Sequence, residues 1–309
     1  MTRPKVTVVG AGQVGATTAF LLLTKGIADV VMIDVAEGLP QGKALDMMHS
    51  RSVERFAPVV TGTNDYADTA GSDVVVVTAG LPRKPGMTRD DLLAANGAIV
   101  RSVIGAAVEA SPDAIVICVT NPLDVMTYLG WKVSGLSPER IFGMGGVLDS
   151  ARFAYAIAEE TGAAIDTIDA LAVGAHGDAM VPLPRHSTVA GTPLTELLAP
   201  ERVDALVKRT VFGGAEVVAL LKTGSAFYAP AASVTAMVEA VLGDTGAILP
   251  SCVYLDGEYG ISDVYMSVPA ALGRQGVQRV VEIDLDDDEL STLRSSAATV
   301  AEAVAALGI

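Results

Sequence analysis

Hydrophobic positions along this 309-residue chain fall into two kinds of run. Short, unbroken, largely β-branched runs occupy residues 6–9, 30–33, 59–62, 73–78, 114–119 and 140–142, and read as strands buried on both faces. Between them the apolar spacing is helical: from the glycines after residue 9 through Leu23, over 41–52, from Arg89 to about Ala110, and over 123–131. Six strand candidates alternating with helices predict a doubly wound α/β fold with a parallel sheet.

From residue 147 the pattern changes. A helix over 147–162 precedes a strand over 168–173, helices over 201–221 and 230–242, runs over 247–255, 264–269 and 277–282 that read as antiparallel strands, and a closing helix over about 286–307. The chain is thus expected to divide into an α/β domain over 1–145 and an α+β domain over 146–309, with no linker, repeat or low-complexity tract between them. Asp286, Asp287, Asp288 and Glu289 open the last helix, where acids complement the positive end of the helix dipole.

The first strand passes directly into Gly10, Gly12 and Gly15 in G-x-G-x-x-G spacing, and the second strand ends on Asp34. Three small residues alone make ordinary turns. A strand before them, a helix after them and an acid about 20 residues on specify a dinucleotide-binding Rossmann unit. Gly10 permits the tight turn, Gly12 lets backbone approach a pyrophosphate, and Gly15 lets helix pack on strand. The helix N-terminus then offers N–H groups to the phosphates. Asp34 would accept from the adenosine ribose hydroxyls and repel a ribose phosphate, which favours NAD over NADP.

Composition narrows the partners. A formal charge of -15 and a pI near 4.5 argue against nucleic acid or an anionic membrane surface, and an anionic substrate would need a local arginine cluster. Cys118 and Cys252 lie in strand-like runs without metal-ligand spacing, so buried thiols in a reducing compartment are expected, with no metal site. The chain enters its first strand almost at once and no apolar run is expected to reach transmembrane length; a cytoplasmic protein is the expectation.

Candidate chemistry gathers where strands end. The segment 81–93, LPRKPGMTRDDLL, follows the fourth strand and places Arg83 and Lys84 on a loop and Arg89 just inside a helix. It reads either as a solvated loop or, from its place at the ligand edge, as a cationic binding loop. Asn121 is either a turn former before Pro122 or a group in reach of nicotinamide or substrate. Asp149 and Arg152 share a helical face, as a surface pair would, and His176 sits among small residues in GAHGD, open to close approach by a ligand or simply structural. His49 and His186 read as structural.

GAGQVG with Asp34, LPRKPGMTRDDLL, TNPLD, LDSARF and GAHGD, in that order over essentially the whole chain, resemble the lactate/malate dehydrogenase family, and within it the malate dehydrogenases of the lactate-dehydrogenase-like bacterial type. The arm that precedes the first strand in vertebrate lactate dehydrogenases is lacking. The resemblance implies reversible NAD-dependent oxidation of (S)-malate to oxaloacetate, a tricarboxylic acid cycle reaction, in a homo-oligomer, either dimer or tetramer. It implies that His176 takes the proton from the substrate hydroxyl, that Asp149 orients it, and that Arg152 pairs with the carboxylate beside the reacting carbon. Arg89 would polarise the forming carbonyl, Asn121 would bind the substrate oxygen, and Arg83 would hold the second carboxylate. Two alternatives stand beside this reading: a lactate dehydrogenase, which would carry an uncharged residue in place of Arg83, and a non-catalytic NAD-binding protein on the same fold, which could dispense with His176, Asp149 and Arg152. Gly10, Gly12, Gln13, Val14, Gly15, Asp34, Thr78, Ala79, Gly80, Asn96, Val119 and Asn121 are the positions implied for NAD.

Overall fold

The valine and isoleucine runs become central strands because helices cover both faces of the sheet and leave no solvated side for polar residues. The computed structural model describes residues 3–81 and 89–308. Its first half comprises β1 (Lys5–Val9), α1 (Gln13–Thr24), β2 (Asp29–Ile33), α2 (Leu39–Glu54) and β3 (Val60–Thr63). Its second comprises β4 (Val74–Val77), α3 (Arg89–Ala110), β5 (Ile115–Cys118), α4 (Leu123–Ser134) and β6 (Ile141–Gly143). These strands are parallel in the order β3-β2-β1-β4-β5-β6, and Val6 of β1 pairs with Val30 on one side and Val74 on the other. Strand order reverses between β1 and β4, so the crevice beyond their C-terminal ends is where such a sheet binds ligands. Side chains alternate along β4: Val74 and Val76 join the core on one face, Val75 and Val77 the core on the other.

The remainder is α5 (Gly146–Thr161), β7 (Ile168–Asp169), β8 (Ala172–Gly174), β9 (Met180–Pro182), β10 (Thr188–Val189), β11 (Thr192–Pro193), α6 (Leu194–Leu197), α7 (Pro200–Leu221), α8 (Tyr228–Gly243), β12 (Ala247–Asp256), β13 (Ser262–Gly273), β14 (Gly276–Val280) and α9 (Asp287–Ala306). The expected antiparallel strands do not form a separate sheet. Cys252 of β12 pairs antiparallel with Gly143 of β6, and the sheet runs on through β13, β8 and β9, with β14 on β13 as the eleventh strand among the described residues. The single strand expected over 168–173 is two strands in different sheets, β7 pairing with β10 and β8 with β13 and β9. At the break the Leu171 N–H donates to Ser187 Oγ at 3.1 Å instead of to a strand, while its carbonyl accepts from Leu183 N–H at 2.8 Å, next to the Ala172–Pro182 pair of β8 and β9.

Residues Asp91–Ala110 of α3 are, by length and composition, apolar enough to cross a membrane, contrary to the expectation that no run reaches that length. Their apolarity has a place in the fold: Leu93, Val100, Ile104 and Ala107 recur at helical spacing and are buried in the core shared with β4, β5 and α4. At the start of α9, Asp286 accepts from Glu289 N–H and Glu289 returns a bond to Asp286 N–H, so two of the four acids form a capping box.

Candidate active site

The glycine loop is built around close approach. Gly10 has φ +102°, and a Cβ there would stand 2.8 Å from both Ala79 N and Thr78 Oγ1. Gly15 is packed against the Gly10 carbonyl, leaving no room for a side chain. At Gly12, by contrast, a Cβ would meet nothing within 4 Å. Gly12 N-caps α1 without a side-chain hydrogen bond, and the first turn carries no acid, so the orphan N–H groups and the dipole face open space. That is the surface a pyrophosphate needs, and the chain fits NAD there. Thr78 braces the loop by donating to the Val9 and Gly10 carbonyls at 3.1 Å each. Gln13 and Val14 open α1 beside it.

Asp34 lies at the end of β2 as expected, and it has further partners. Oδ2 accepts from Ala11 N–H at 2.7 Å and Oδ1 from Ala36 N–H at 3.0 Å, so the carboxylate also ties the loop to the turn after β2. Each oxygen retains a lone pair for a ribose hydroxyl. Lys43 of α2, which the sequence reading did not single out, donates to the Ala11 carbonyl at 2.7 Å from the other side.

Ala79 and Gly80 follow β4, Val119 and Asn121 follow β5, and buried Asn96 ties the two together. Asn96 accepts from Leu81 N–H at 2.8 Å and donates to the carbonyls of Leu81 at 3.2 Å and Asn121 at 2.7 Å. Its amide thus holds the backbone under the crevice. Arg83 and Lys84 lie outside the described residues, as does the side chain of Arg89, whose backbone begins α3.

The second cluster comes from the other domain. Gly146 starts α5 against the carbonyls of Pro250 and Ala172, which a Cβ would approach to 2.8 and 3.0 Å. This close packing directs Asp149, in the first turn of α5, inward. Asp149 is 2% exposed, far from the surface pair its spacing with Arg152 allowed. Its Oδ2 lies 2.9 Å from His176 Nδ1 and its Oδ1 accepts from Arg152 Nη1 at 3.3 Å. With Nδ1 taken, Nε2 of His176 is left to exchange a proton with a ligand. Burial disfavours the imidazolium, yet the charge and hydrogen bond of Asp149, helped by the charge of Asp124, outweigh it and raise the His176 pKa, while Arg152 opposes. Burial likewise lowers the Arg152 pKa, with Asp149 resisting; a guanidinium stays charged regardless.

Gly213 and Gly214 of α7 lie along the Arg152 side chain: a Cβ on either would stand 3.4 Å from it, on Cδ or Nη2 respectively, an ordinary contact distance. Neither was singled out from the sequence, although adjacent glycines inside a helical pattern carry a cost of about 1 kcal/mol each and so ask for a reason. A cavity of about 660 Å³ joins the two clusters, lined by Val14, Val119 and Asn121 on the first domain and by Arg152, His176 and Pro230 on the second. Among the described residues no cluster of His, Cys, Asp and Glu is arranged to hold a metal, and Cys118 and Cys252 are free, buried thiols.

Residues 4–143 match the model of the lactate/malate dehydrogenase NAD-binding domain, and residues 146–306 that of the lactate/malate dehydrogenase alpha/beta C-terminal domain. The chain belongs to the lactate/malate dehydrogenase family. It is 51% identical over 305 residues to a malate dehydrogenase of Roseiflexus sp. (strain RS-1), covering 99% of each chain. Among solved structures, the Cryptosporidium parvum malate dehydrogenase superposes with a TM-score of 0.97 at 43% identity, covering 99% of each chain. The Cryptosporidium parvum lactate dehydrogenase complexed with lactic acid and nicotinamide adenine dinucleotide gives 0.96 at 42%, covering 100% of this chain and 99% of that one. Backbone shape within the family therefore does not separate the two substrates; side chains in the crevice must.

Proposed function

We propose that the chain is an NAD-dependent malate dehydrogenase, interconverting (S)-malate and oxaloacetate. The observation that carries the chemistry is the buried Asp149 carboxylate bonded at once to His176 and Arg152, on a cavity that reaches the glycine loop. Bound NAD supplies hydride acceptance. The protein's own residues orient the substrate and manage its proton. Arg152 pairs with the carboxylate beside the reacting carbon, which a guanidinium can do through two parallel bonds. Nε2 of His176 takes the hydroxyl proton as malate is oxidised and returns it when oxaloacetate is reduced, while Asp149 stabilises the imidazolium between these events. Asn121 binds the substrate oxygen and Arg89 polarises the forming carbonyl.

Preference for a four-carbon diacid rests on Arg83 in the sequence, a cation suited to the second carboxylate. Relatives named malate dehydrogenase at about half identity over nearly the whole chain support the same substrate. We place the protein in the cytoplasm, in the tricarboxylic acid cycle, and in a homo-oligomer, either dimer or tetramer. Phe212 and Leu220 on α7 and Tyr228 on α8 are apolar and exposed in the protomer, which supports association, and light scattering reads its stoichiometry. The decisive assay follows NADH absorbance on adding oxaloacetate or pyruvate. Rapid oxidation with oxaloacetate and little with pyruvate is expected; the reverse would make the chain a lactate dehydrogenase.

A further inference from the structure

Behind His176 lies a second buried carboxylate. Asp124 occupies the first turn of α4 and is 4% exposed. Its Oδ2 accepts from the His176 backbone N–H at 2.8 Å, and its Oδ1 faces the Cys252 thiol of β12, which donates at 3.4 Å. Neither partner is a cation, and burial raises the Asp124 pKa to about 6 against the pull of the His176 charge, the His176 N–H and the Cys252 thiol. Anchoring one backbone N–H requires only an oxygen acceptor, which an amide side chain supplies without burying a charge. The charge itself is what calls for a purpose.

We propose that Asp124 is a positioning residue for proton transfer, anchoring the His176 backbone and setting a second negative charge behind the imidazole that Asp149 holds at Nδ1. The proposal rests on the reading of His176 as the base. The largest charges acting on His176 are those of Asp149 and Arg152 from α5 and Asp124 from α4, and Asp178 also lines the cavity beside it; Asp124 feels the His176 charge and, from β12, the hydrogen bond of the neutral Cys252 thiol. Asp149 and Arg152 oppose one another in sign. Asp124 adds to Asp149 a second negative charge that favours the imidazolium, and it helps His176 hold a proton until oxaloacetate takes it.

Reduction needs protonated His176, so its rate is present below the His176 pKa and lost as pH rises through it; oxidation behaves in the opposite sense. Asp124→Asn keeps an oxygen for the His176 N–H and removes the charge. Its reduction limb should move to lower pH by roughly 0.5 to 1 unit. Above the limb, kcat/KM for oxaloacetate then falls about 3- to 10-fold, and below the oxidation limb kcat/KM for malate rises by a similar factor, with NADH affinity by fluorescence titration unchanged. Asp124→Glu keeps the charge and disturbs the anchor, so kcat should fall while the limb stays in place. A limb of the Asn protein that superposes on the wild type overturns the proposal. So does a limb of the Glu protein displaced in the same sense, which decides the matter alone if the Asn protein does not fold. Failure of the underlying reading looks different, because His176→Asn would then retain turnover.

Discussion

The glycine loop and the His176 cluster face each other across one crevice and are built on opposite principles. The loop works by removing side chains: Gly10 and Gly15 are where backbone meets backbone, and Gly12 leaves N–H groups bare. Its glycines and Asp34 lie within one β-α-β unit, braced by Thr78 and Ala79 after β4 and by Lys43 of α2. The cluster works by burying charged side chains against each other, and its parts come from α4, α5, α7 and the turn after β8, with Asp124 and His176 52 residues apart. A backbone site tolerates little steric change, whereas a site of buried charges responds to pH and to the loss of any one charge.

Separating the two sites at the bench starts with His176. His176→Asn should lower turnover by about 100- to 10,000-fold, the span of general acid–base catalysis, with NADH binding nearly intact by fluorescence titration. Loss of both together would break the division, since the base would then be supporting the cofactor loop.

Arg83 comes next. Arg83→Gln should cost about 2 to 5 kcal/mol towards oxaloacetate, as for losing one partner of a buried charge pair, and pyruvate should lose little or gain. That is roughly 30-fold to several thousand-fold in kcat/KM. Lys84→Gln is the control. A preference that survives Arg83→Gln and collapses with Lys84→Gln moves the role to the neighbouring residue.

On the loop side, Asp34→Ser should shift preference from NAD towards NADP by about 1 to 3 kcal/mol, the worth of a hydrogen bond to a charged group. Because Asp34 also holds Ala11 and Ala36, both cofactors should weaken, and the ratio of their specificity constants carries the test. An unchanged ratio leaves Asp34 as a loop tie alone.

Asp124 sharpens the contrast through stability. Its carboxyl pKa is raised in the fold to about 6, so its contribution to stability is full below the unfolded value and is lost as pH rises through about 6. Asp124→Asn should therefore match or exceed the wild type in urea midpoint at pH 8, by up to about 1 to 3 kcal/mol, with the gain disappearing by about pH 4. A gain that persists unchanged at low pH would dissociate it from the carboxyl.

The smallest effect is expected at α7. Gly214→Ala should add up to about 1 kcal/mol of helix stability and, with its Cβ 3.4 Å from Arg152 Nη2, raise KM for oxaloacetate no more than slightly, with kcat unchanged. A higher melting temperature with a large rise in KM would show that the guanidinium has no room to spare.

Local physical rules account for much of this molecule. Strands buried on both faces favour unbroken, largely β-branched apolar runs, and a turn at φ +102° favours glycine, so the doubly wound sheet and the dinucleotide loop are legible residue by residue. Asp149, Arg152 and His176 stand in legible motifs, but spacing alone favours a surface pair for Asp149 and Arg152. Their burial was decided by α5 closing on Pro250 and Ala172, contacts that no neighbouring residue encodes. The same holds for the division of the 168–173 run between two sheets, the joining of β12 to β6, the Asp124 carboxylate behind the base, and the glycine pair beside Arg152. Each depends on a partner distant in sequence. Periodicity reports what a segment does with its own backbone and with solvent, whereas the charge and shape of a buried neighbour enter only when the chain has folded around it.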